Sequence, residues 1–269
     1  MPRVGAGSGA GEGPGLATRA GRLATALRAA RDAVLDLALP RCCVACGRPV
    51  GAAKRRAVCG VCWSRLERLP APRCERCGHP MRAQRCYWCA QLPAYVRAAR
   101  SVCWVPGGVG GRVVHALKYE GWTIVAGEMA EEMARLAWPA DVVAERTAIV
   151  PVPLGRRRLR ERGYNQSLLL ARELAARWRI PVWERCVERG RETRSQTRLT
   201  PGERLGNVSN AFRAAAIARD RLRGSHLVLV DDVVTTGATL DACAAALFES
   251  GTRILSYVTF GRAPTAGDR

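Results

Sequence analysis

The stretch from Leu227 to Leu240, with the sequence LVLVDDVVTTGATL, constrains the fold of this 269-residue chain more than any other. Its first four residues are apolar and predict a buried strand. Two carboxylates, Asp231 and Asp232, follow directly, and a turn of Thr and Gly leads into a helical pattern that ends at Glu249. In open parallel sheets, ligands bind beyond the carboxyl ends of the strands. The stretch therefore predicts an α/β fold with a ligand site at this end of the strand.

The turn after the acidic pair has the chemistry of a phosphate site. A turn that enters a helix offers free backbone N–H groups and the positive end of the helix dipole. The two carboxylates would repel a phosphate, so they suit sugar hydroxyls or a magnesium ion beside it. No lysine follows Gly237 as in a P-loop, and an ordinary capped turn would need no acidic pair. We predict a phosphorylated ribose site whose phosphate contacts are Val233, Val234, Thr235, Thr236, Gly237, Ala238 and Thr239.

This motif resembles the phosphoribosyl pyrophosphate (PRPP) signature of type I phosphoribosyltransferases. In that family, a hydrophobic strand, two acidic residues and a Thr-Gly-x-Thr turn follow one another. The resemblance implies a type I phosphoribosyltransferase fold with a mainly parallel sheet. It also implies that Asp231 and Asp232 are the catalytic residues, which hold the ribose hydroxyls of PRPP together with Mg²⁺. The activity implied is transfer of the phosphoribosyl group to a nitrogenous acceptor.

Cysteines provide the second strong signal, because eight of the 12 lie in four Cys-x2-Cys pairs. Each pair can direct two thiolates at one tetrahedral metal ion, and two pairs complete a four-thiolate zinc site. An internal repeat, CVACGRP and CERCGHP, indicates two tandem zinc ribbons with two structural Zn²⁺ ions, although crossed pairing stays open. The first ribbon would use Cys43, Cys46, Cys59 and Cys62, and the second Cys74, Cys77, Cys86 and Cys89.

Other uses of these cysteines fit less well. Disulfides would need an oxidising compartment, for which the sequence carries no evident address signal. A redox Cys-x-x-Cys belongs on a thioredoxin-like fold, which four closely spaced copies do not suit. Iron–sulfur clusters also take four thiolates and stay open as an alternative. Cys42 lies outside the repeat, and we expect it to be a bystander that could replace a ligand.

The charge of the chain points to anionic partners. It carries 43 basic and 23 acidic residues, a net charge of +20. Such an excess indicates phosphorylated metabolites or nucleic acid, and a merely solvated basic face is the alternative. No apolar run approaches the roughly 18–20 residues that cross a membrane. We therefore expect no membrane span and a cytoplasmic protein.

Four segments follow one another along the chain. We expect a disordered extension over 1–22, an amphipathic helix over 23–40, a double zinc ribbon over 41–92 and a phosphoribosyltransferase-like domain over 98–263. In the last segment, strands alternate with helices, which is typical of a mainly parallel sheet covered by helices. The strands are predicted at 100–105, 148–152, 227–230 and 254–260, the helices at 113–119, 128–136, 167–178 and 240–249, and a glycine-rich turn at 107–111.

Two polar loops are expected beside the ligand site. The loop at 155–166 holds five arginines, whose forked side chains suit phosphates, although a solvated basic turn is the alternative. The loop at 189–210 is long and poor in apolar residues, as a lid or a disordered crossover would be. The phosphoribosyltransferase resemblance implies that side chains of these loops, together with Lys118, hold the leaving pyrophosphate and close the site. The candidates are Lys118, Arg156, Arg162, Asn165, Gln166, Gln196 and Arg204.

From about residue 30 to 262, the ordered series of motifs resembles the ComF family. The series begins with a double zinc ribbon that follows LPRCC at 39–43, then LKY at 117–119, VPVP at 150–153 and RGYNQ at 162–166. It continues with Thr193 and Gln196, then Arg204 and Asn207, and ends with the PRPP signature. The resemblance implies a link to natural competence, to the handling of incoming single-stranded DNA and to growth on external DNA. It implies PRPP, single-stranded DNA or another nucleic acid, and competence-machinery proteins as partners. The family has no generally assigned acceptor substrate.

Three hypotheses about function stay open at this point. The chain is a phosphoribosyltransferase, or a non-catalytic PRPP-binding regulator, or a single-strand nucleic-acid-binding protein that reuses the fold. The intact acidic pair and phosphate turn favour PRPP binding. The basic charge and the paired ribbons favour an added nucleic-acid role. No residue of the sequence identifies the acceptor.

Overall fold

The computed structural model describes residues 42–50, 56–81, 86–190, 211–216 and 219–264. The strands are Val96–Trp104 (β1), Ala148–Pro151 (β2), Val187–Arg189 (β3), Phe212–Ala214 (β4), His226–Val234 (β5) and Ile254–Arg262 (β6). The helices are Gly60–Ser64 (α1), Gly108–Tyr119 (α2), Val125–Ala134 (α3), Ala140–Glu145 (α4), Arg156–Arg162 (α5), Gln166–Trp178 (α6), Arg219–Leu222 (α7) and Ala238–Glu249 (α8), with a 3₁₀ turn at Tyr87–Gln91.

Some of the predicted segments lie outside the described residues. These are the extension at 1–22, the helix at 23–40 and most of the predicted lid, including Gln196 and Arg204. The segment boundaries predicted for the whole chain therefore stay predictions.

The central sheet has the strand order β1-β6-β5-β2, and each neighbouring pair is parallel. β3 and β4 form a separate antiparallel pair. Both edges of the sheet carry further backbone contacts. The N–H of Leu69 donates to the carbonyl of Val102 in β1 at 3.1 Å, and Val182 forms a parallel bridge with Ile149 in β2. Such contacts occupy edge groups that could otherwise pair with another chain.

Two apolar cores lie on opposite faces of this sheet. Successive residues of a strand point to opposite faces, so a strand buried on both faces is a continuous apolar run. Val228 and Val230 of β5 pack in the first core with α2, α3 and α6. Leu227 and Leu229 pack in the second core with α8. Helices on both faces of a parallel sheet confirm the predicted α/β fold class.

The cysteine-rich segment straddles the sheet. Its first half joins the first core through Trp63, and its second half joins the second core through Trp88. Glu128 of α3 holds the first half, because its carboxylate accepts hydrogen bonds from the backbone N–H of Ala57 at 2.6 Å and from the indole N–H of Trp63 at 2.8 Å. The cysteine-rich segment and the sheet therefore form one packed unit.

The prediction of a loop over 155–166 is wrong for its first half, because Arg156–Arg162 forms α5. Arginine, leucine and glutamate all have good helix propensity. Arg157 and Glu161 also form an ion pair at 2.8 Å across one turn. Gly163 ends the helix with a φ of 81°, a left-handed conformation that glycine adopts without strain.

The predicted glycine-rich turn at 107–111 is also wrong, because α2 already begins at Gly108. A Cβ on Gly111 would lie 1.6 Å from the carbonyl oxygen of Pro106. The glycines thus let the first turn of the helix pack against the preceding backbone. β5 likewise continues past its predicted end to Val234, which pairs with Arg262 of β6. Among the described residues, no helix is long and apolar enough to cross a membrane.

Candidate ligand cavity and metal centres

A cavity of about 530 Å³ opens at the carboxyl end of β5, within the range of about 300–1,000 Å³ typical of small-molecule sites. Most of the predicted site residues in the described regions line it: Lys118, Arg162, Gln166, Asp231, Asp232 and all of 233–239. Arg156 is exposed and Asn165 is partly buried, and both lie outside the lining. The lining also includes polar and charged side chains absent from the predicted site, namely Tyr119, Arg158, Glu161, Tyr164, Ser167 and Arg189.

The two carboxylates at the end of β5 have different partners. Asp232 is buried, and its Oδ2 forms an ion pair with the ammonium group of Lys118. The Oδ1 of Asp231 accepts hydrogen bonds from the Ser167 hydroxyl at 2.7 Å and from the backbone N–H of Asp232 at 2.9 Å. Burial, and then the charge of Asp232, raise the pKa of Asp231 to about 7. Near neutral pH, this carboxyl can therefore be either protonated or charged.

The start of α6 connects the basic helix α5 to the acidic pair. Asn165 is the N-cap of α6, and its side-chain amide donates to the carbonyl of Val152 at 3.0 Å. The amide nitrogen of Gln166 lies 3.5 Å from the Oδ1 of Asp232. The amide oxygen of Gln166 accepts a hydrogen bond from the guanidinium of Arg162. Asn165 is thus a positioning residue beside the cavity, and Gln166 links a cation to a carboxylate inside it.

The turn between β5 and α8 has the geometry of an anion site. Gly237 is the N-cap of α8 and has a φ of 85°, a conformation that strains other residues. The first N–H groups of a helix lack intrahelical partners, and this end of the helix dipole is positive. Thr235 and Thr236 are exposed on the cavity wall. The turn can therefore present backbone N–H groups and hydroxyls to a phosphate.

The eight predicted cysteines converge in two groups of four. In each group, the sulfur atoms lie within 4.8 Å of one another; the groups are Cys43, Cys46, Cys59 and Cys62, and Cys74, Cys77, Cys86 and Cys89. A tetrahedral zinc ion with Zn–S bonds of about 2.3 Å separates its sulfurs by about 3.8 Å, and the Sγ atoms of Cys46 and Cys59 are 3.8 Å apart. Both groups fit structural Zn²⁺, and the pairing is the tandem one. Cys42 is exposed and belongs to neither group.

Hydrogen bonds favour the thiolate form of the first cysteine in each group, whereas burial raises the pKa of three of the other cysteines. At matching positions of the repeat, Gly47 and Gly78 have φ values of 72° and 64°. Their N–H groups donate to the carbonyls of Cys43 and Cys74 at 2.8 and 2.9 Å, which closes each turn. Burial raises the pKa of Cys43 and Cys74, but hydrogen bonds to the sulfurs outweigh it and lower the pKa of each to about 7. Thiolates are the form of cysteine that binds metal.

The sequence alone could have identified only some of the additional residues that line the cavity. Ser167 follows Asn165-Gln166, so its place at a helix start was visible, but its contact with Asp231 was not. Arg158 lies in the predicted basic loop and reaches the cavity because α5 is a helix. Tyr119 directly follows Lys118, and no sequence pattern connects it with α5.

Comparison with known sequences places these features among related proteins. The sequence model of the double zinc ribbon domain matches residues 34–93. The chain is 34% identical to the DNA utilization protein YhgH of Escherichia coli K12 over 226 residues, which are 80% of this chain and 94% of that protein. It is 36% identical to Competence protein F of Haemophilus influenzae over 138 residues, 49% of this chain and 60% of that protein. Competence protein ComFC of Bacillus subtilis is 33% identical over 103 residues, 38% of this chain and 39% of that protein.

Among solved structures, a glutamine PRPP amidotransferase from B. subtilis aligns with a TM-score of 0.34 and 18% identity over 50% of this chain and 25% of that chain. A variant of an HPRT, substituted at an invariant aspartic acid, aligns with a TM-score of 0.30 and 16% identity, covering 55% of this chain and 79% of that chain.

Proposed function

The chain belongs to the ComF family, whose type I phosphoribosyltransferase fold and N-terminal double zinc ribbon it shares, and we propose that it binds PRPP with Mg²⁺. We further propose that it is a phosphoribosyltransferase that acts on a nitrogenous acceptor, in the cytoplasm and in connection with DNA use. The name of one relative, the DNA utilization protein YhgH, supports the connection with DNA.

One observation carries this proposal: a single cavity joins the acidic pair to the turn at the start of α8. Phosphates suit backbone N–H groups at a helix start, whereas carboxylates suit hydroxyl groups and hard cations. A ligand that satisfies both ends must carry a phosphate and neighbouring hydroxyls. PRPP has both, and the cavity volume of about 530 Å³ is appropriate for a small metabolite.

The proposed roles follow from the chemistry of each wall. Residues 235–239 would hold the 5-phosphate, and Asp231 and Asp232 would hold the ribose hydroxyls and Mg²⁺. When bound, Mg²⁺ would offset the charge that develops on the departing pyrophosphate. Lys118 and Arg162 provide cations in the same cavity. In the described state Lys118 neutralises Asp232, so we propose that this lysine exchanges its carboxylate partner for pyrophosphate when PRPP and Mg²⁺ bind.

The test is calorimetric titration of PRPP with Mg²⁺ into the zinc-loaded protein at pH 8, where Asp231 is mostly charged. The test variant is Asp231→Asn/Asp232→Asn, and Asp220→Asn is the matched control, since Asp220 is exposed on α7 and lies outside the cavity. Loss of two charged contacts of about 1.5–3 kcal/mol each predicts at least 100-fold weaker binding. Absence of binding to the wild type, or equal affinity of wild type and double variant, would refute the proposal.

A second candidate function is binding of single-stranded nucleic acid along α5, and it rests on a separate observation. Arg156, Arg157, Arg158 and Arg160 are all exposed on this helix, and Arg158 also lines the cavity. Exposed arginines suit the phosphates of a strand. Association with competence-machinery proteins stays a prediction, because no described surface identifies such a partner.

Salt dependence tests this second candidate. Each phosphate contact in a single strand contributes about 0.7 to the slope of log affinity against log salt. Changing the four arginines to glutamine should flatten the slope by up to about 2.8 if every one contacts a phosphate. The control changes the same number of exposed arginines elsewhere: Arg172, Arg179, Arg185 and Arg213. Equal slopes for the two variants would show only a general effect of net charge.

A further inference from the structure

Exposed apolar side chains lie close together in the sequence at the end of α2, beside the cavity. Seven large apolar side chains are exposed in the described part of the chain, and three of them fall between 119 and 124. Tyr119 is 70% exposed, Ile124 44% and Trp122 37%. Of these three, Tyr119 also lines the cavity. The cavity mouth therefore combines an aromatic ring with the polar groups already described.

The backbone that carries Tyr119 is anchored on its N-terminal side. Lys118 forms the ion pair with Asp232, and the carbonyl of Leu117 accepts a hydrogen bond from the hydroxyl of Tyr164. Rigid elements hold binding groups more accurately than mobile ones do. The exposed ring of Tyr119 is thus presented from a fixed support, unlike a side chain on a free loop.

A guanidinium group accompanies the ring. Arg162 lies 5.5 Å from the ring centroid of Tyr119, and both residues line the cavity. Arg162 is itself held by Gln166, which contacts Asp232. Aromatic rings and guanidinium planes are the surfaces on which proteins stack nitrogenous bases. A planar ligand at this mouth would extend this stack, because the guanidinium already lies over one face of the ring.

We propose that Tyr119 and Arg162 form a stacking site for a planar nitrogenous base at the mouth of the PRPP cavity. As an acceptor site, this inference rests on the proposed phosphoribosyltransferase function. In that reaction, a ring nitrogen forms a bond to the anomeric carbon, and the carbon–oxygen bond breaks with its electron pair leaving on pyrophosphate. The proton of the ring nitrogen passes to water. As the acceptor in this step, the base is a free molecule, since a base in a strand already carries a sugar on that nitrogen; a base in a single strand would be stacked without transfer.

The first arm of the test uses free bases. Adenine, guanine, uracil and cytosine are each titrated by calorimetry into protein saturated with PRPP and Mg²⁺. Base stacking on an aromatic side chain contributes about 1–3 kcal/mol, so Tyr119→Ala should weaken base binding about 5- to 150-fold. Tyr119→Phe keeps the ring and should retain the affinity. Phe248→Leu is the matched control, since Phe248 is exposed on α8 outside the cavity lining.

The second arm uses a short single-stranded oligodeoxynucleotide and an abasic strand of the same length. If the base belongs to a strand, Tyr119→Ala weakens binding of the normal strand and leaves the abasic strand unchanged. If the base is free, only the first arm responds to the substitution. Equal binding of wild type and Tyr119→Ala in both arms overturns the stacking site, as does failure of the wild type to bind any base or strand.

Affinity for PRPP separates this inference from the proposed function. It is measured for each variant before any base is added. The base affinity of each variant is then measured at a PRPP concentration that saturates that variant, so that a change in PRPP affinity is separated from base stacking. If the wild type binds no PRPP, the proposed function fails, whereas the strand arm still decides whether Tyr119 stacks a base. Strong PRPP binding with no effect of Tyr119→Ala on bases or strands would refute the stacking site alone.

Discussion

Arg262 provides a sharp test of how the second zinc ribbon is attached to the ligand domain. The side chain is 1% exposed, at the end of β6. Its Nη2 donates to the carbonyl of Cys77, a predicted zinc ligand, at 3.0 Å, and its Nη1 lies 3.4 Å from the Nδ1 of His79. Its guanidinium lies 4.4 Å from the ring centroid of Trp88. In the sheet, Arg262 pairs with Val234, which precedes the turn between β5 and α8. We predict that Arg262→Met loosens the ribbon from the sheet.

The magnitude is worked from the hydrogen bond to Cys77 and the contact with Trp88. A hydrogen bond from a charged group contributes about 1.5–3 kcal/mol, and a desolvated cation–π contact about 2 kcal/mol. Methionine preserves most of the side-chain volume. It also removes the cost of burying a cation, so the net loss of stability is smaller than the sum of the two contact energies. We therefore expect the free energy of unfolding to fall by about 2–3 kcal/mol.

The assay combines urea unfolding of the zinc-loaded protein with the rate of zinc release to a chromogenic chelator. Arg262→Met should lower the unfolding free energy and release one of the two zinc ions faster than the other. Arg253→Met is the matched control, because Arg253 is half exposed and pairs with Glu145 at 2.7 Å, a surface contact worth about 0–1 kcal/mol. Equal stability losses in the two variants, with zinc release at the wild-type rate, would refute the reasoning.

Three further predictions concern single residues. The folded state raises the pKa of Asp231 to about 7, so its charge destabilises the protein progressively from about pH 4 up to pH 7. Asp231→Asn should therefore raise the urea midpoint of unfolding above that of the wild type at pH 8. This difference should disappear as the pH falls to 4, and a difference that does not depend on pH would contradict the prediction. Metal analysis should find two zinc ions per chain in the Cys42→Ser variant and fewer in the Cys46→Ser variant. A lower zinc content of Cys42→Ser would instead identify Cys42 as a ligand. Gly237→Ala forces a side chain into a φ of 85° and should cost about 1–2 kcal/mol in urea unfolding. Gly107→Ala, at a φ of −70° with no atom within 4 Å of the added Cβ, should cost much less; equal costs would exclude backbone strain.

The features that could be predicted from the sequence are encoded by short contiguous patterns. The acidic pair and the turn between β5 and α8 directly follow an apolar run. The two carboxylates and the start of the helix therefore lie together at the end of that strand. Each Cys-x2-Cys pair likewise brings two thiolates together within one turn of backbone. The fold class followed from alternation of such segments, because a parallel sheet needs helical crossovers.

Tertiary structure decided the contacts between distant segments. The arginine-rich run was predicted as a loop, and it forms α5 because its helical propensity, its internal ion pair and the left-handed Gly163 act together. Whether Lys118 meets Asp232, or Arg162 meets Tyr119, depends on how α2, α5 and α6 pack on the sheet. Local sequence specifies the backbone conformation over a few residues. Contacts between distant residues form only when burial of apolar faces packs separate elements together.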